Sequence, residues 1–353
     1  MGGGSYDYIS SRSRTAFYKS TVDTSGSYST IFTKSSANAY NHKTHEVAED
    51  VNVKNKIRES RDSKEHPDSY PIIIGLDVTG SMGSIPKYLI TEALPEIMKK
   101  IIDSGIKDPQ ICFAAIGDTN YDDAPFQASQ FESSDEKIDK SLKSIWIEGG
   151  GGSNTGESYE LAWYFAARHT DIDSFNKRGK KGCLITIGDE PPLAMTEYSS
   201  YSDGEDSDKS IKQIFGGQKG ISDCREILKQ ATEKWNVYHI NMSDWSGCTN
   251  STRRRWKKLN EEINGFQYVE HIDNNYSKQE ANIRKEDIIK LIPYLVKQSY
   301  DIESVKDSDR KTSNDDLINA MLAAQLGGMM STNKSTSTKV DESEEDSETP
   351  EAI

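Results

Sequence analysis

Five short apolar runs punctuate the chain from residue 71 onward: PIIIGLD (71–77), ICFAAIGD (111–118), KGCLITIGD (181–189), NVYHINM (236–242) and FQYVEHI (266–272). They are too apolar for strands with one wet face. Each is expected as a strand covered on both sides, the condition of a parallel sheet under crossover helices. The stretch FQASQFES (126–133) fits a short antiparallel edge strand.

Between the runs, apolar residues recur at helical spacing. Ile85, Leu89, Ile90, Leu94, Ile97, Met98, Ile101 and Ile102 form one stripe, with a kink expected at Pro95. Ser134 can cap a helix carrying Ile138, Leu142 and Ile145. Further helices are expected over 157–169, 222–235, 252–264 (stopping at Gly265) and 277–300. The alternation of strand and helix predicts an α/β fold, Rossmann-like and doubly wound: a mostly parallel sheet of about six strands with helices on both faces.

Outside this core the pattern fades. Residues 1–69 are rich in Ser, Tyr, Thr and Asn with little periodicity, and an irregular extension is expected there. The folded domain is placed at 70–300, followed by a charged linker at 301–314. Residues 315–330, DDLINAMLAAQLGGMM, allow one short amphipathic helix that either packs back on the domain or docks a partner. Residues 331–353 read as a disordered acidic tail. Polar extensions account for a hydrophobic fraction of 34% without Gly, against the roughly 45–50%, Gly included, usual for globular chains.

The formal charge is −14, and seven acids between 341 and 351 supply half of it. The body is acidic as well, which disfavours binding to a phosphate backbone, so no nucleic-acid partner is expected. The basic stretch TRRRWKKLN (252–260), centred on Trp256, is read accordingly as a solvated helix face. No run of 18 apolar residues occurs and the N-terminus lacks a signal-peptide core, so no membrane partner and a cytoplasmic location are expected. Gly2 does not make a myristoylation site, because Tyr6 stands where Ser or Thr is required. Cys112, Cys183, Cys224 and Cys248 have no CxxC pairing and read as buried free thiols.

Candidate chemistry gathers where the first run ends. In LDVTGSMGS (76–84), Asp77, Thr79 and Ser81 alternate, so an extended chain points all three oxygen-bearing side chains one way. The carboxyl edge of a parallel sheet is where ligands bind, and Gly80 and Gly83 allow close approach. One carboxylate and two hydroxyls suit a hard cation such as Mg²⁺, provided more oxygen donors arrive from elsewhere. Thr155 in the Gly-rich segment EGGGGSNTGESYELA (148–162) and Asp189 in ITIGDEPP (185–192) stand at the ends of the right elements.

The three segments DVTGSMG, GGSNTGES and ITIGDEPP together resemble the von Willebrand factor A (VWA) domain family, whose metal-ion-dependent adhesion site combines a D-x-S-x-S motif with a distant Thr and a distant Asp. The resemblance covers roughly residues 70–300. It implies a metal site made of Asp77, Thr79, Ser81, Thr155 and Asp189, holding Mg²⁺ or another divalent cation such as Mn²⁺ or Ca²⁺. Thr79 departs from the more common Ser. The family's hydroxyls bind the metal directly and its carboxylates act largely through water, so the cation stays positive enough to attract an Asp or Glu from a partner. The resemblance therefore implies a protein-interaction module rather than an enzyme, with an AAA+ ATPase of the MoxR kind, or a stress or conflict system, as the setting of its intracellular relatives.

Two other functions compete. A phosphohydrolase of the haloacid-dehalogenase type also starts from an Asp at a strand end, but it needs a second acid two residues later, where Thr79 stands. A metal-free scaffold of the same fold is the third possibility. Around the site, residues 193–220 form a long polar loop that is read as a partner-selecting lid. Asp118, Asn120 and Asp122 begin like a calcium loop, yet Asp123 and Ser129 occupy its Gly and Glu positions. Asp118 is left as a group that could orient a bound water, and His239, inside a strand, is read as a satisfied core residue.

Overall fold

A computed structural model of the chain describes residues 4–25, 47–147, 156–193, 211–216, 223–242, 249–272 and 281–305. Thr155, Cys248, most of the 193–220 loop, most of the 301–314 linker, the 315–330 segment and the acidic tail lie outside these residues; within the expected polar loop, residues 211–215 are helical and bury Ile211 and Phe215.

Among the described residues the strands in chain order are β1 (Arg58–Ser60), β2 (Tyr70–Asp77), β3 (Pro109–Ile116), β4 (Phe126–Ala128), β5 (Thr170–Ile172), β6 (Gly182–Gly188), β7 (Trp235–Asn241), β8 (Phe266–Val269), β9 (His271–Ile272) and β10 (Ala281–Asn282), the last two paired antiparallel, with β10 standing where the sequence pattern predicts the start of a helix over 277–300. Among the described residues the main sheet has six strands in the order β4-β3-β2-β6-β7-β8. Neighbouring strands run parallel except β4, which lies antiparallel on the edge beside β3. The sheet is thus mixed, mostly parallel with one reversed edge.

The all-apolar runs have the expected cause. Every residue of β2 and of β6 is buried, and successive side chains enter two different cores. Ile72, Ile74 and Leu76 join Cys183, Ile185 and Ile187 on one face, while Ile73 joins Leu184 on the other. With both faces covered, no position in these strands is left for a solvent-facing side chain.

The α-helices whose full extent falls among the described residues are α1 (Tyr8–Ser25), α2 (Ile85–Tyr88), α3 (Leu94–Asp103), α4 (Asp135–Ser144), α5 (Tyr159–Arg168), α6 (Asp173–Arg178), α7 (Cys224–Lys234), α8 (Asn250–Glu262) and α9 (Ile288–Val305). Residues of α3, α4 and α9 line the first core, and those of α5, α7 and α8 line the second. Ser134 caps α4 by accepting the Lys137 N–H at 3.4 Å, and Gly265 follows α8 with φ +86°. The predicted stripe over 85–102 is interrupted differently from a plain kink. A π-helical turn, Leu89–Ala93, joins α2 to α3 and places Pro95 in the first turn of α3, where its missing N–H is harmless.

The expectation of an irregular N-terminal extension is corrected. Residues 8–25 form α1, and Val51 and Val53 are buried. The helix lacked an apolar stripe because it docks through hydroxyls and charges instead. Tyr18 donates to Asp139 Oδ2 at 2.8 Å, Tyr8 donates to Glu96 Oε1 at 2.6 Å, and Arg14 pairs with Asp135. Farther along, β1 pairs with β5 in parallel, and the Val51 carbonyl accepts the Ala128 N–H of the edge strand at 2.9 Å. The buried Arg58 guanidinium donates to the carbonyls of Asp50, Asn52 and Ala128, pinning this segment to the sheet. Folded structure therefore begins well before residue 70.

No helix among the described residues is long and apolar enough to cross a membrane. Cys112, Cys183 and Cys224 are buried free thiols.

Candidate metal centre

Two adjacent central strands end side by side. The register that sets Leu76 beside Ile187 brings Asp77, the last residue of β2, to the same sheet edge as Asp189, the first residue after β6. Both residues are fully buried.

Beyond Asp77 the chain stays extended only as far as Thr79, with φ −71° and ψ 170°, and then closes into a 3-10 turn, Gly80–Met82. Ser81 therefore returns toward the site through the turn rather than by strand alternation. Gly83 follows with φ +51°, a conformation that favours glycine.

The side chains form one contiguous series, two hydrogen-bonded pairs whose hydroxyls touch. Asp77 Oδ1 accepts from the Thr79 N–H at 2.9 Å and from the Thr79 hydroxyl at 2.6 Å. Thr79 Oγ1 lies 3.2 Å from Ser81 Oγ, which donates to Asp189 Oδ1 at 3.0 Å. The other oxygen of Asp189, Oδ2, is buried and has no hydrogen-bond partner among the described residues. Four of the five sequence-predicted residues thus meet; Thr155 falls outside the described residues.

Three residues that sequence reasoning passed over border the series. Tyr159, at the start of α5, donates its hydroxyl to Asp77 Oδ2 at 2.8 Å. Glu157, just before α5, is close enough to Asp77 for the two carboxyls to repel, and its Oε2 is buried without a partner among the described residues. The backbone carbonyl of Glu190 accepts from Trp256 Nε1 at 3.0 Å. Glu157 and Tyr159 sit in the quoted segment GESYELA, but their types read there as a helix start and a core aromatic.

The electrostatics follow from burying several acids together. Burial, with Asp189 close by, pushes the Asp77 carboxyl up to about 7, against the pull of the Thr79 and Tyr159 hydrogen bonds. Burial also raises Asp189, opposed by the Ser81 hydroxyl. Glu190 is pushed up to about 8 by burial and then by Asp189 and Asp77, and Glu157 is raised well above the carboxylate range by burial and then by Asp77. Each shift says that the ionised form lacks compensation, which a cation would supply.

The donor chemistry fits a hard divalent cation: two carboxylates and two hydroxyls converge, one carboxylate oxygen being buried and unpartnered. No group of three or more His, Cys, Asp or Glu among the described residues is placed to hold a metal ion. The candidate set is of another kind, since the Thr79 and Ser81 hydroxyls make half of it.

Asp118 lies in the loop after β3, where its Oδ1 accepts the Asn120 N–H at 2.7 Å. His239 is buried in β7 and stacks on Trp256 with ring centres 3.6 Å apart; its Nδ1 meets the Thr186 hydroxyl at 2.9 Å, while Nε2 has no partner among the described residues. It is a core residue, satisfied at one nitrogen only. Trp256 is itself fully buried, whereas Arg254, Lys257 and Lys258 on the same helix are exposed.

No protein-family model matches the chain, and no curated protein does. Among solved structures it is similar to an aerotolerance-related membrane protein from Bacteroides fragilis, at 13% identity over 64% of this chain and 98% of that one, with a TM-score of 0.33. It is similar to BatB from Bacteroides thetaiotaomicron, at 14% identity over 66% and 99%, TM-score 0.36. It is also similar to the pilus adhesin SpaC from Lactobacillus rhamnosus GG, at 12% identity over 70% of this chain and 31% of the adhesin, TM-score 0.38. Likenesses this distant decide nothing about the site.

Proposed function

We propose that the chain is a metal-dependent protein-interaction module of the VWA type, and not an enzyme. One observation carries the reading: Asp77, Thr79, Ser81 and Asp189 form a continuous series at the carboxyl ends of two adjacent strands, closing on a buried carboxylate oxygen that has no partner among the described residues. In this reading these four residues, joined by Thr155, hold Mg²⁺, with Mn²⁺ or Ca²⁺ as alternatives.

A bound divalent cation supplies a positive pole for a partner's Asp or Glu. This chain's residues set how strong that pole is. Thr79 and Ser81 donate through neutral hydroxyl oxygens, which leave the cation's charge largely intact. Asp77 and Asp189 balance part of it from within the protein, in surroundings where water screens little. Tyr159 and the Thr79 N–H fix the Asp77 carboxylate so that it does not rotate away. Thr79 in place of an acid also leaves no group for the general-acid step of a phosphohydrolase. An AAA+ ATPase of the MoxR kind is the partner class that the family resemblance implies.

The test is calorimetric titration of the whole chain with MgCl₂, followed by pull-down in Mg²⁺ and in EDTA. Heat of binding and Mg²⁺-dependent capture are expected for the wild type, and both should vanish in Asp77→Ala. Capture that is equal in the two buffers and in the variant overturns the reading.

A further inference from the structure

Tyr159 lies in YELAWYFAA, a run whose residues are buried almost throughout and whose other aromatics serve the second core. A phenylalanine would pack equally well there, so the hydroxyl requires its own explanation. It is spent on Asp77 Oδ2, at 2.8 Å. A buried phenol keeps its place only when the oxygen finds a partner.

Two further features are shaped around that hydroxyl. The first is Gly188, the last residue of β6: a Cβ at this position would collide with the Tyr159 hydroxyl and ring. Absence of a side chain there is what lets the phenol reach across the strand end. The second is an aromatic stack behind the ring. Tyr159 meets His239 edge-on at 5.0 Å and Trp256 edge-on at 5.3 Å, while His239 and Trp256 lie face to face. Thr186 holds His239 from β6, and Trp256 Nε1 holds the Glu190 carbonyl beside Asp189.

We infer that Tyr159 is a positioning residue of the metal site: its hydroxyl fixes the Asp77 carboxylate so that Oδ1 faces Thr79 and the cation, and the His239 and Trp256 rings hold the phenol in line. The inference rests on the reading of the site as cation-binding. Outer partners of this kind orient the ligating groups, and their loss typically lowers metal affinity about 10- to 100-fold. Through Trp256 the same stack also fixes the segment after Asp189, so one aromatic assembly orients both carboxylates of the series.

The decisive variant is Tyr159→Phe, which keeps the ring and removes only the oxygen. Calorimetric titration with MgCl₂ and with MnCl₂ is compared for wild type, Tyr159→Phe, Asp77→Asn and Gly188→Ala, alongside thermal unfolding of each in EDTA. Tyr159→Phe is expected to retain the fold and bind either cation about 10- to 100-fold more weakly; Gly188→Ala is expected to weaken it in the same sense by displacing the phenol. A purely structural tyrosine predicts a lower Tm with unchanged cation affinity, and that outcome overturns the inference. Should the wild type bind neither cation, the functional reading fails, and the double variant Tyr159→Phe/Asp77→Asn then judges Tyr159 alone. Tm shifts that do not add support its hold on Asp77; shifts that add overturn it.

Discussion

Replacing Thr79 by valine removes one hydroxyl from the middle of the site's contiguous series while preserving the branching of the side chain. That hydroxyl donates to Asp77 Oδ1 at 2.6 Å, with Thr79 only 4% exposed and Asp77 wholly buried. Above the value of about 7 to which burial pushes Asp77, the acceptor is charged, and a hydrogen bond to it contributes about 1.5–3 kcal/mol. Asp77 Oδ1 keeps the Thr79 N–H at 2.9 Å, so the expected loss in EDTA is about 2 kcal/mol. In Mg²⁺ a second loss adds to the first. A ligand that binds only the folded chain stabilises it by about 2.7 kcal/mol at a hundredfold excess over Kd, and a variant lacking one hydroxyl donor forfeits most of that. The stability gap between wild type and Thr79→Val should therefore widen from about 2 kcal/mol in EDTA to roughly 4–5 kcal/mol in Mg²⁺. Urea unfolding followed by tryptophan fluorescence in both buffers measures it. The same gap in the two buffers refutes a cation role for Thr79, and no gap in EDTA refutes the hydrogen-bond argument.

Trp256→Ala should destabilise by about 3–5 kcal/mol through the cavity it leaves, whereas Arg254→Ala on the exposed side of the same helix should stay within about 0.5 kcal/mol; chemical denaturation of the two variants distinguishes them. Lys234 Nζ donates to the carbonyls of Ala167 and Thr170, and burial pulls its pKa down from 10.5 to about 8. Between those values the unfolded chain binds a proton that the folded chain does not, so this group's contribution makes stability rise with pH across that window, and the penalty is complete below it. Lys234→Met should flatten the rise, as read from urea midpoints over the same range. Deleting residues 1–25 removes Arg14 and Tyr18 from the buried carboxylates Asp135 and Asp139, and a lower Tm is expected; an unchanged Tm refutes the docking of α1.

What could be read beforehand depended on which force placed each residue. β2, β3, β6 and β7 were legible because burial on both faces demands unbroken apolar runs, and the reversed edge strand β4 was legible from its position after a strand-like run. Asp77, Thr79, Ser81 and Asp189 could be singled out because polar residues end apolar runs at the sheet's carboxyl edge, and the structure brings those four together. Tyr159 was hidden because its type satisfies the core requirement by itself; nothing in the local pattern distinguishes a phenol needed for its oxygen from one needed for its ring. Gly188 was hidden for the complementary reason, since its small size answers a residue twenty-nine positions away. Helix α1 escaped notice because tyrosine hydroxyls and an arginine, rather than an apolar stripe, attach it to its neighbours.

The pairing of Val51 with Ala128, clamped by Arg58, has a bearing on assembly. An outermost strand with free amides is an open invitation for a foreign chain to add itself, the commonest route both to peptide recognition by strand addition and to fibrous aggregation. On the β4 margin that invitation is already answered by residues 50–58 of the same chain, so self-association by strand addition there would first require them to peel away.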